Sequence, residues 1–355
     1  SFQDASKFVI KMNRILFVIL VFISFSFLTK KKFLEYPSSW PEPVYHLQNN
    51  KPTSKGISLG RMLFYDPILS SDSTISCASC HSSFTAFTHV DHNLSHGIQD
   101  RIGKRNSPTL MNLAWQSNFM WDGAIIILDM QALAPISHPD EMGSSINDVV
   151  HKLNHDKFYN KKFQQIYGTK EISGEQVLKV ISQFMLTLIS SNSKYDRVKN
   201  GKEQFSEQEA NGYRLFVNNC SSCHTEPLFT NHNFVNNGLK LSQEINDLGR
   251  FQITKDAKDS LKFKVPSLRN IEFSYPYMHD GRFKKLSEVL NHYSNGINQS
   301  NTLDIRLKNG IQLTANEKVD LISFLLTLTD KEFLFNKNFS YPKKDFDLKR
   351  GKGIN

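Results

Sequence analysis

The stretch Cys77-Ala-Ser-Cys80-His81 has a second copy at Cys220-Ser-Ser-Cys223-His224, and together the copies use all four cysteines of the 355-residue chain. Two cysteines separated by two residues and followed by histidine form the pattern to which haem is attached in c-type proteins. In this interpretation the four cysteines form thioethers, and His81 and His224 bind iron on the proximal side. The sequence therefore predicts two covalently bound haem c groups.

Zinc is the main alternative for a thiol pair with a histidine. Zinc sites built from two C-x-x-C pairs usually separate the pairs by roughly 15–20 residues. The gap between Cys80 and Cys220 is far longer. Two isolated Cys2His sets would each need a further ligand. The spacing therefore favours haem over zinc.

The segments that follow the two haem motifs resemble each other. The first contains Pro108-Thr-Leu-Met-Asn112, eight further residues and Trp121-Asp-Gly, and the second contains Pro266-Ser-Leu-Arg-Asn270, eight further residues and His279-Asp-Gly. Both fit the pattern P-x-L-x-N-x8-[W/H]-D-G without a gap. Such agreement downstream of each haem motif predicts two related domains in tandem.

Helix signals outnumber strand signals along the chain. Ser206-Glu-Gln-Glu209 and Thr314-Ala-Asn-Glu317 are capping boxes that predict helix starts, and residues 174–189 are amphipathic at helical spacing. The polar stretch 190–201 is typical of a linker. The predicted fold is mostly α, with tandem cytochrome c-like haem domains at 37–200 and 201–355.

Residues 1–36 have the features of an export signal. The apolar run 15–28 lies between basic residues and is short for a membrane-spanning helix. This segment predicts a periplasmic protein, either soluble after signal cleavage or tethered to the inner membrane by residues 15–28. The net charge of +9 includes six Lys and Arg residues of this segment. The remaining balance is only weakly basic and predicts no nucleic-acid partner.

Several longer motifs resemble those of the bacterial di-haem cytochrome c peroxidases and their relative MauG. They lie between Leu59 and Thr329 and are, in order, LGRMLFYDPILSSDSTISCASCH, RNSPTLMN, WDG, HPDEMG, VPSLRN and YPYMHDG. The resemblance implies that the N-terminal haem reacts with hydrogen peroxide and that the C-terminal haem stores electrons. It also implies an external electron donor, a small cytochrome c or a cupredoxin.

The resemblance assigns catalytic roles to three residues of the first domain. Glu141 matches the acid–base glutamate over the distal face of the haem, Gln131 matches a glutamine of the same pocket, and Trp121 matches the tryptophan between the haems. A positioned carboxyl can take a proton from one peroxide oxygen and deliver it to the other. Without the resemblance, Glu141 would be interpreted as a solvated loop residue, Gln131 as an exposed helix residue and Trp121 as a core residue.

The C-terminal haem departs from the cytochrome c peroxidases at its sixth ligand. Tyr293 aligns with the methionine that binds this iron, and MauG also has a tyrosine there. A phenolate ligand favours the ferric state relative to methionine. Met278 and His292 are alternative ligands, and packing in the core is the structural alternative for Tyr293.

The N-terminal haem departs at the residue that caps the resting iron. Ile98 aligns with the histidine that fills this place in many of the peroxidases, so the resemblance to MauG implies an N-terminal haem open at rest. His96, His92 and His89 are close in sequence and are alternative caps, although each alone is typical of a surface side chain. Ala124 replaces the usual arginine after W-D-G, which puts the salt bridge of that arginine in doubt.

The resemblance also implies a calcium ion between the haems. Its ligands would be Asn106 and the backbone carbonyls of Ser274 and Pro276, since oxygen-only ligation suits Ca²⁺. The sequence thus predicts an exported di-haem peroxidase that reduces hydrogen peroxide to water. The alternatives are a MauG-like oxidase that modifies residues of a partner protein, and a non-catalytic electron carrier or peroxide sensor.

Overall fold

The computed structural model describes residues 34–351 of the chain. All elements named below belong to the unit that begins at Tyr36. The predicted export segment 15–28 lies outside the described residues. Within the described part of the chain, no helix is long and apolar enough to cross a membrane.

Helices make up most of the regular structure. They are α1 (Ser54–Tyr65), α2 (Cys77–Cys80), α3 (Leu128–Gln131), α4 (Leu133–Ser137), α5 (Ile146–His155), α6 (Lys157–Tyr167), α7 (Gly174–Leu186), α8 (Lys194–Lys199), α9 (Glu207–Asn219), α10 (Phe251–Thr254), α11 (Leu286–Asn295), α12 (Ala315–Leu326), α13 (Lys331–Leu334) and α14 (Lys343–Lys349). Within residues 34–351 the strands are β1 (Phe234–Val235) and β2 (Phe263–Lys264), which pair antiparallel. The prediction of a mostly α fold is confirmed. The two predicted capping boxes are present at the starts of α9 and α12.

The same arrangement of two packed helices occurs twice. α1 packs against α7, where a Cβ added to Gly60 would lie 1.8 Å from the carbonyl oxygen of Val180. α9 packs against α12, where a Cβ added to Gly212 would lie 1.9 Å from the carbonyl oxygen of Asp320. Only glycine lets two helix backbones approach this closely. The internal repeat of the sequence therefore has a counterpart in these two helix pairs.

The polar segment 190–201 connects the two helix pairs, and its first half is partly buried rather than solvated. Ser190 and Ser193 are completely buried, and the buried Asp196 receives two hydrogen bonds of 2.8 Å from Arg269. Its polar groups are therefore satisfied inside the protein. Composition alone could not separate this hydrogen-bonded junction from a surface linker.

Arg269 should be among the residues that contribute most to stability. It is 0% exposed, and its guanidinium binds Asp196 and the carbonyl oxygen of Pro227. The substitution Arg269→Ala should lower the free energy of unfolding by about 3–5 kcal/mol, because it leaves a buried carboxylate without its partner. Chemical denaturation measures this loss.

The control is Arg306→Ala, which removes a more exposed ion pair with Asp304. A surface pair of this kind is worth about 0–1 kcal/mol. Similar small losses of stability in both variants would contradict the role given to Arg269.

The chain returns to the first helix pair after α12. The hydroxyl of Tyr65 in α1 donates to the carbonyl oxygen of Phe339 at 2.7 Å. The ammonium of Lys349 in α14 lies 2.8 Å from a carboxylate oxygen of Asp66. Residues 331–351 therefore contact the first half of the molecule, although they follow the second half in the chain.

Candidate functional site

The two motif histidines have matching surroundings. Nδ1 of His81 lies 2.6 Å from the carbonyl oxygen of Phe87, and Nδ1 of His224 lies 3.2 Å from that of Phe229 and 3.1 Å from that of Pro266. A carbonyl only accepts hydrogen bonds, so Nδ1 carries the hydrogen in both rings. Burial lowers the pKa of each histidine to about 4. Both imidazoles are therefore neutral, with Nε2 available as a metal ligand.

Each of the repeated P-x-L-x-N segments contacts the histidine of its own motif. The carbonyl of Pro108 hydrogen-bonds to His81, as that of Pro266 does to His224. This shared contact gives a structural reason for the sequence repeat. The Phe-Thr dipeptide that begins at Phe87 and recurs at Phe229 is a further repeated signal, and the sequence analysis did not use it.

The thiols of the motifs are positioned by short helical segments. Cys77 and Cys80 begin and end α2, and Cys220 follows the last residue of α9. None of the four thiols, including that of Cys223, forms a disulfide. Each motif thus offers two thiols for thioether bonds and one neutral imidazole for iron, a donor set that fits a covalently attached haem.

A cavity lies between the second motif and Trp121. Residues from both halves of the chain line it, among them Asn106, Met120, Trp121, Cys220, Cys223, His224, Lys264, Ser274, Pro276, Met278 and Tyr293. The lining of this cavity therefore includes both Trp121, the predicted electron bridge, and Tyr293, the predicted iron ligand.

Glu141 lies beside the first motif. It follows α4 in a turn, and its carbonyl oxygen accepts a hydrogen bond of 2.8 Å from the amide of Ile98. Burial raises the pKa of Glu141. Burial, and then the nearby charge of Glu141, raise the pKa of the Cys80 thiol to about 11. The carboxyl is therefore close to the first haem motif and keeps its proton to higher pH than a solvated glutamate does.

Ile98, and not His96, packs against the turn that carries Glu141. The buried side chain of Ile98 is so close to Gly143 that a Cβ there would lie 2.3 Å from its Cδ1. Nδ1 of His96 lies 2.8 Å from the carboxylate of Asp100, whose side chain is 87% exposed. The His96 ring also lies 4.1 Å from that of His92. In this conformation His96 is held by partners in its own loop.

Trp121 is fixed at both its ring and its backbone. Its Nε1 donates to the carbonyl oxygen of Asn106 at 2.9 Å, and its own carbonyl accepts from the amide of Lys264 at 2.7 Å. Gln131 is buried, but its amide contacts the sulfur of Met120 at 3.7 Å. Gln131 therefore lies close to Met120, the residue before Trp121. Within residues 34–351, no hydrogen bond joins Gln131 to Glu141.

The arginine replaced by Ala124 has a substitute elsewhere in the chain. In the second copy of the repeat, Arg282 pairs with Asp280 through a hydrogen bond of 2.8 Å. In the first copy, Arg105 pairs with Asp122 at 2.6 Å. Asp122, the carboxylate that follows Trp121, therefore keeps an ion pair although alanine occupies position 124.

Tyr293 and Met278 face the same cavity. The side chain of Asn237 hydrogen-bonds to Tyr293 and lies 3.5 Å from the sulfur of Met278. Burial raises the pKa of Tyr293 to about 12. The buried His292 instead directs Nε2 to the carbonyl of Asn237, at 3.1 Å. The geometry thus brings Tyr293 and Met278 to the second motif and gives His292 a backbone partner.

The three predicted calcium ligands lie on the wall of one cavity. Asn106, Ser274 and Pro276 all line it. The side-chain nitrogen Nδ2 of Asn106 donates to the carbonyl oxygen of Asn93 at 3.0 Å. Calcium binding there stays a prediction.

Lys264 is a site residue that the sequence analysis missed. Its ammonium donates to Gln116 and to the carbonyl of Asn118 at the cavity wall, and burial lowers its pKa to about 7. A single lysine in a strand carries no sequence signal that distinguishes it from a surface lysine.

Known proteins are similar to this chain over most of its length. Residues 54–204 match the family model of the di-haem cytochrome c peroxidases. The chain is 35% identical to the methylamine utilization protein MauG of Methylorubrum extorquens, over 81% of this chain and 82% of that protein. It is 31% identical to cytochrome c551 peroxidase of Nitrosomonas europaea, over 81% of this chain and 84% of that protein.

A crystal structure of a MauG-like protein associated with microbial copper homeostasis is also similar. It is 32% identical and has a TM-score of 0.79, covering 87% of this chain and 99% of that one. This chain therefore belongs to the family of the di-haem cytochrome c peroxidases and MauG.

Proposed function

We propose that this protein is a di-haem peroxidase with two tandem haem c domains, 37–200 and 201–355. The first haem site reduces hydrogen peroxide to water, and the second passes in electrons from a small cytochrome c or a cupredoxin. The observation that carries the proposal is an asymmetry between the motifs. A half-buried carboxyl, Glu141, lies beside the first motif, whereas a phenol, Tyr293, faces the second.

The haems, when bound, supply the redox chemistry and the metal site for peroxide. The protein supplies proton transfer at Oε of Glu141, which accepts a proton from the inner peroxide oxygen and donates it to the outer one. His81 would be the iron ligand from the protein at this haem, with its orientation fixed by the Phe87 carbonyl. The apolar side chain of Ile98 next to the Glu141 turn offers no further ligand at this position.

Trp121 is proposed to carry charge between the two sites. The substitution Trp121→Phe keeps an aromatic ring but loses the hydrogen bond to Asn106 and raises the energy needed to oxidise the side chain. We expect peroxide turnover to fall while both haems stay attached, as measured by stopped-flow oxidation of the second haem.

The matched control is Trp115→Phe. Trp115 is buried and, like Trp121, donates from its indole nitrogen to a backbone carbonyl, that of Pro41. Equal effects of the two substitutions would contradict a special role for Trp121.

The direct test of the proposed function is the consumption of peroxide by the purified di-haem protein with a reduced small cytochrome c or cupredoxin. Each peroxide should oxidise two equivalents of donor, because reduction to two water molecules takes two electrons. Peroxide loss without oxidation of any donor would contradict the proposal.

A second candidate function is the oxidation of a partner protein, as in MauG. It is favoured by Tyr293 at the second site and by Ile98 at the Glu141 turn, two of the positions where this chain departs from the cytochrome c peroxidases. In that case peroxide would be consumed with the modification of protein side chains, which mass spectrometry of a co-purified partner would detect.

A further inference from the structure

The loop that follows each motif histidine packs against an aromatic residue from the other half of the chain. α8, which follows the first helix pair, directs Tyr195 onto Phe229 of the second motif loop, with 4.7 Å between ring centroids. α13, which follows the second helix pair, directs Phe333 onto Phe87 of the first motif loop at 6.0 Å. The two halves therefore exchange aromatic residues behind the motif histidines.

The first loop has additional support from the segment 331–351, here called the C-terminal strap. Its Phe339 ring lies 6.5 Å from that of Phe87 and 5.5 Å from that of Phe333. The strap is held to α1 by side-chain donors. Tyr65 binds the carbonyl oxygen of Phe339 at 2.7 Å, and Arg61 binds that of Ser340 at 2.8 Å.

The backbone that the strap covers has an unfavourable conformation. Ala86 and Phe87 have φ values of 55° and 58°, in the left-handed region that residues with a Cβ rarely adopt. Such a conformation persists only where the surrounding packing fixes it. The completely buried ring of Phe87 is the part of the loop that the strap contacts.

The two motif histidines differ in their hydrogen bonds. The 2.6 Å bond from His81 to the Phe87 carbonyl is shorter than either of the bonds of 3.2 and 3.1 Å made by His224. A stronger acceptor at Nδ1 makes the imidazole a more basic ligand through Nε2. His81 should therefore donate more electron density to a bound iron than His224 does.

We propose that the C-terminal strap positions the Phe87 carbonyl against His81 and thereby sets the ligand strength of the first proximal histidine. Phe333 and Phe339 are positioning residues in this account, since neither touches the motif histidine. The inference rests on the proposed function, in that it requires a haem attached beside His81. It adds a role for residues that lie at the opposite end of the chain from that motif.

The test uses the di-haem protein and the substitution Phe339→Ala. The iron–histidine stretching band of the ferrous first haem, recorded by resonance Raman spectroscopy, should move to lower frequency. The reduction potential of the first haem should rise, and that of the second should not change. Arg61→Ala, which deletes the hydrogen bonds to the strap carbonyls of Ser340 and Lys337, should shift the band in the same direction by a smaller amount.

The matched control is Phe335→Ala. Phe335 belongs to the same strap, but it is 61% exposed and its ring neighbour is Phe273 of the second half. This variant should leave the band and both potentials unchanged. If Phe339→Ala does not fold, Arg61→Ala still decides the question.

An unchanged band and potential in the folded strap variants would overturn the inference. So would a shift of equal size in the Phe335→Ala control. The absence of any haem at Cys77 and Cys80 in the unaltered protein would instead contradict the proposed function, so the two failures are distinguishable.

Discussion

The substitution Glu141→Gln is expected to lower the rate of peroxide turnover by about 10²–10⁴-fold, the usual contribution of a positioned general acid–base group. Glutamine has nearly the same shape, so the turn that Ile98 contacts should keep its structure. It cannot take a proton from peroxide and return it. Both haems should remain attached, which absorbance spectra of the purified variant would show.

Asp140→Asn is the matched control for this substitution. Asp140 precedes Glu141 in the same turn, and its charge is the smallest of the three influences on the pKa of Glu141. The control variant should keep most of the activity. Activity of the Glu141→Gln variant near the level of the unaltered protein would remove this carboxyl from the mechanism.

The pH dependence should identify the same group. Burial raises the pKa of Glu141, and the carboxylate form is the one that can accept a proton from peroxide. Activity should therefore fall as the pH decreases through this raised pKa, at a higher pH than an ordinary glutamate would produce. The acidic limb of the profile should be absent from the residual activity of Glu141→Gln.

The substitution Tyr293→Phe is expected to change the second haem from low-spin to high-spin. The phenol faces the cavity beside Cys220 and Cys223, and removal of its oxygen would leave the iron without this ligand. Burial is the main cause that raises the pKa of Tyr293 to about 12, so ligation as phenolate requires the positive charge of ferric iron to compensate. EPR spectroscopy of the ferric variant measures the spin state.

The control for Tyr293→Phe is Met278→Leu, since the sulfur of Met278 shares the Asn237 side chain with the phenol. The leucine variant should keep a low-spin second haem. A high-spin signal in Met278→Leu and not in Tyr293→Phe would show that methionine is the ligand.

The local chemistry of both motifs could be predicted from the sequence, because C-x-x-C-H and the capping boxes specify structure over a few residues. The helix starts of α9 and α12 agree with their capping boxes for this reason. The repeat P-x-L-x-N was also visible, and its prolines lie behind the motif histidines.

Contacts between distant segments could not be predicted in the same way. Nothing in the local pattern indicates that Phe333 packs on Phe87, or that Arg105 replaces the arginine missing at Ala124. The hydrogen bonds of the polar segment 190–201 could not be predicted from its linker-like composition, because partners such as Arg269 are distant in sequence. Burial of Glu141 likewise depends on how distant segments pack around its turn.

EPR spectroscopy of the ferric protein, before and after addition of hydrogen peroxide, tests the central claim most directly. The ferric protein should show one high-spin centre at the His81 site and one low-spin centre at the His224 site, and the high-spin signal should be lost on addition of peroxide. Two low-spin centres that do not respond to peroxide would contradict this claim and would indicate an electron carrier.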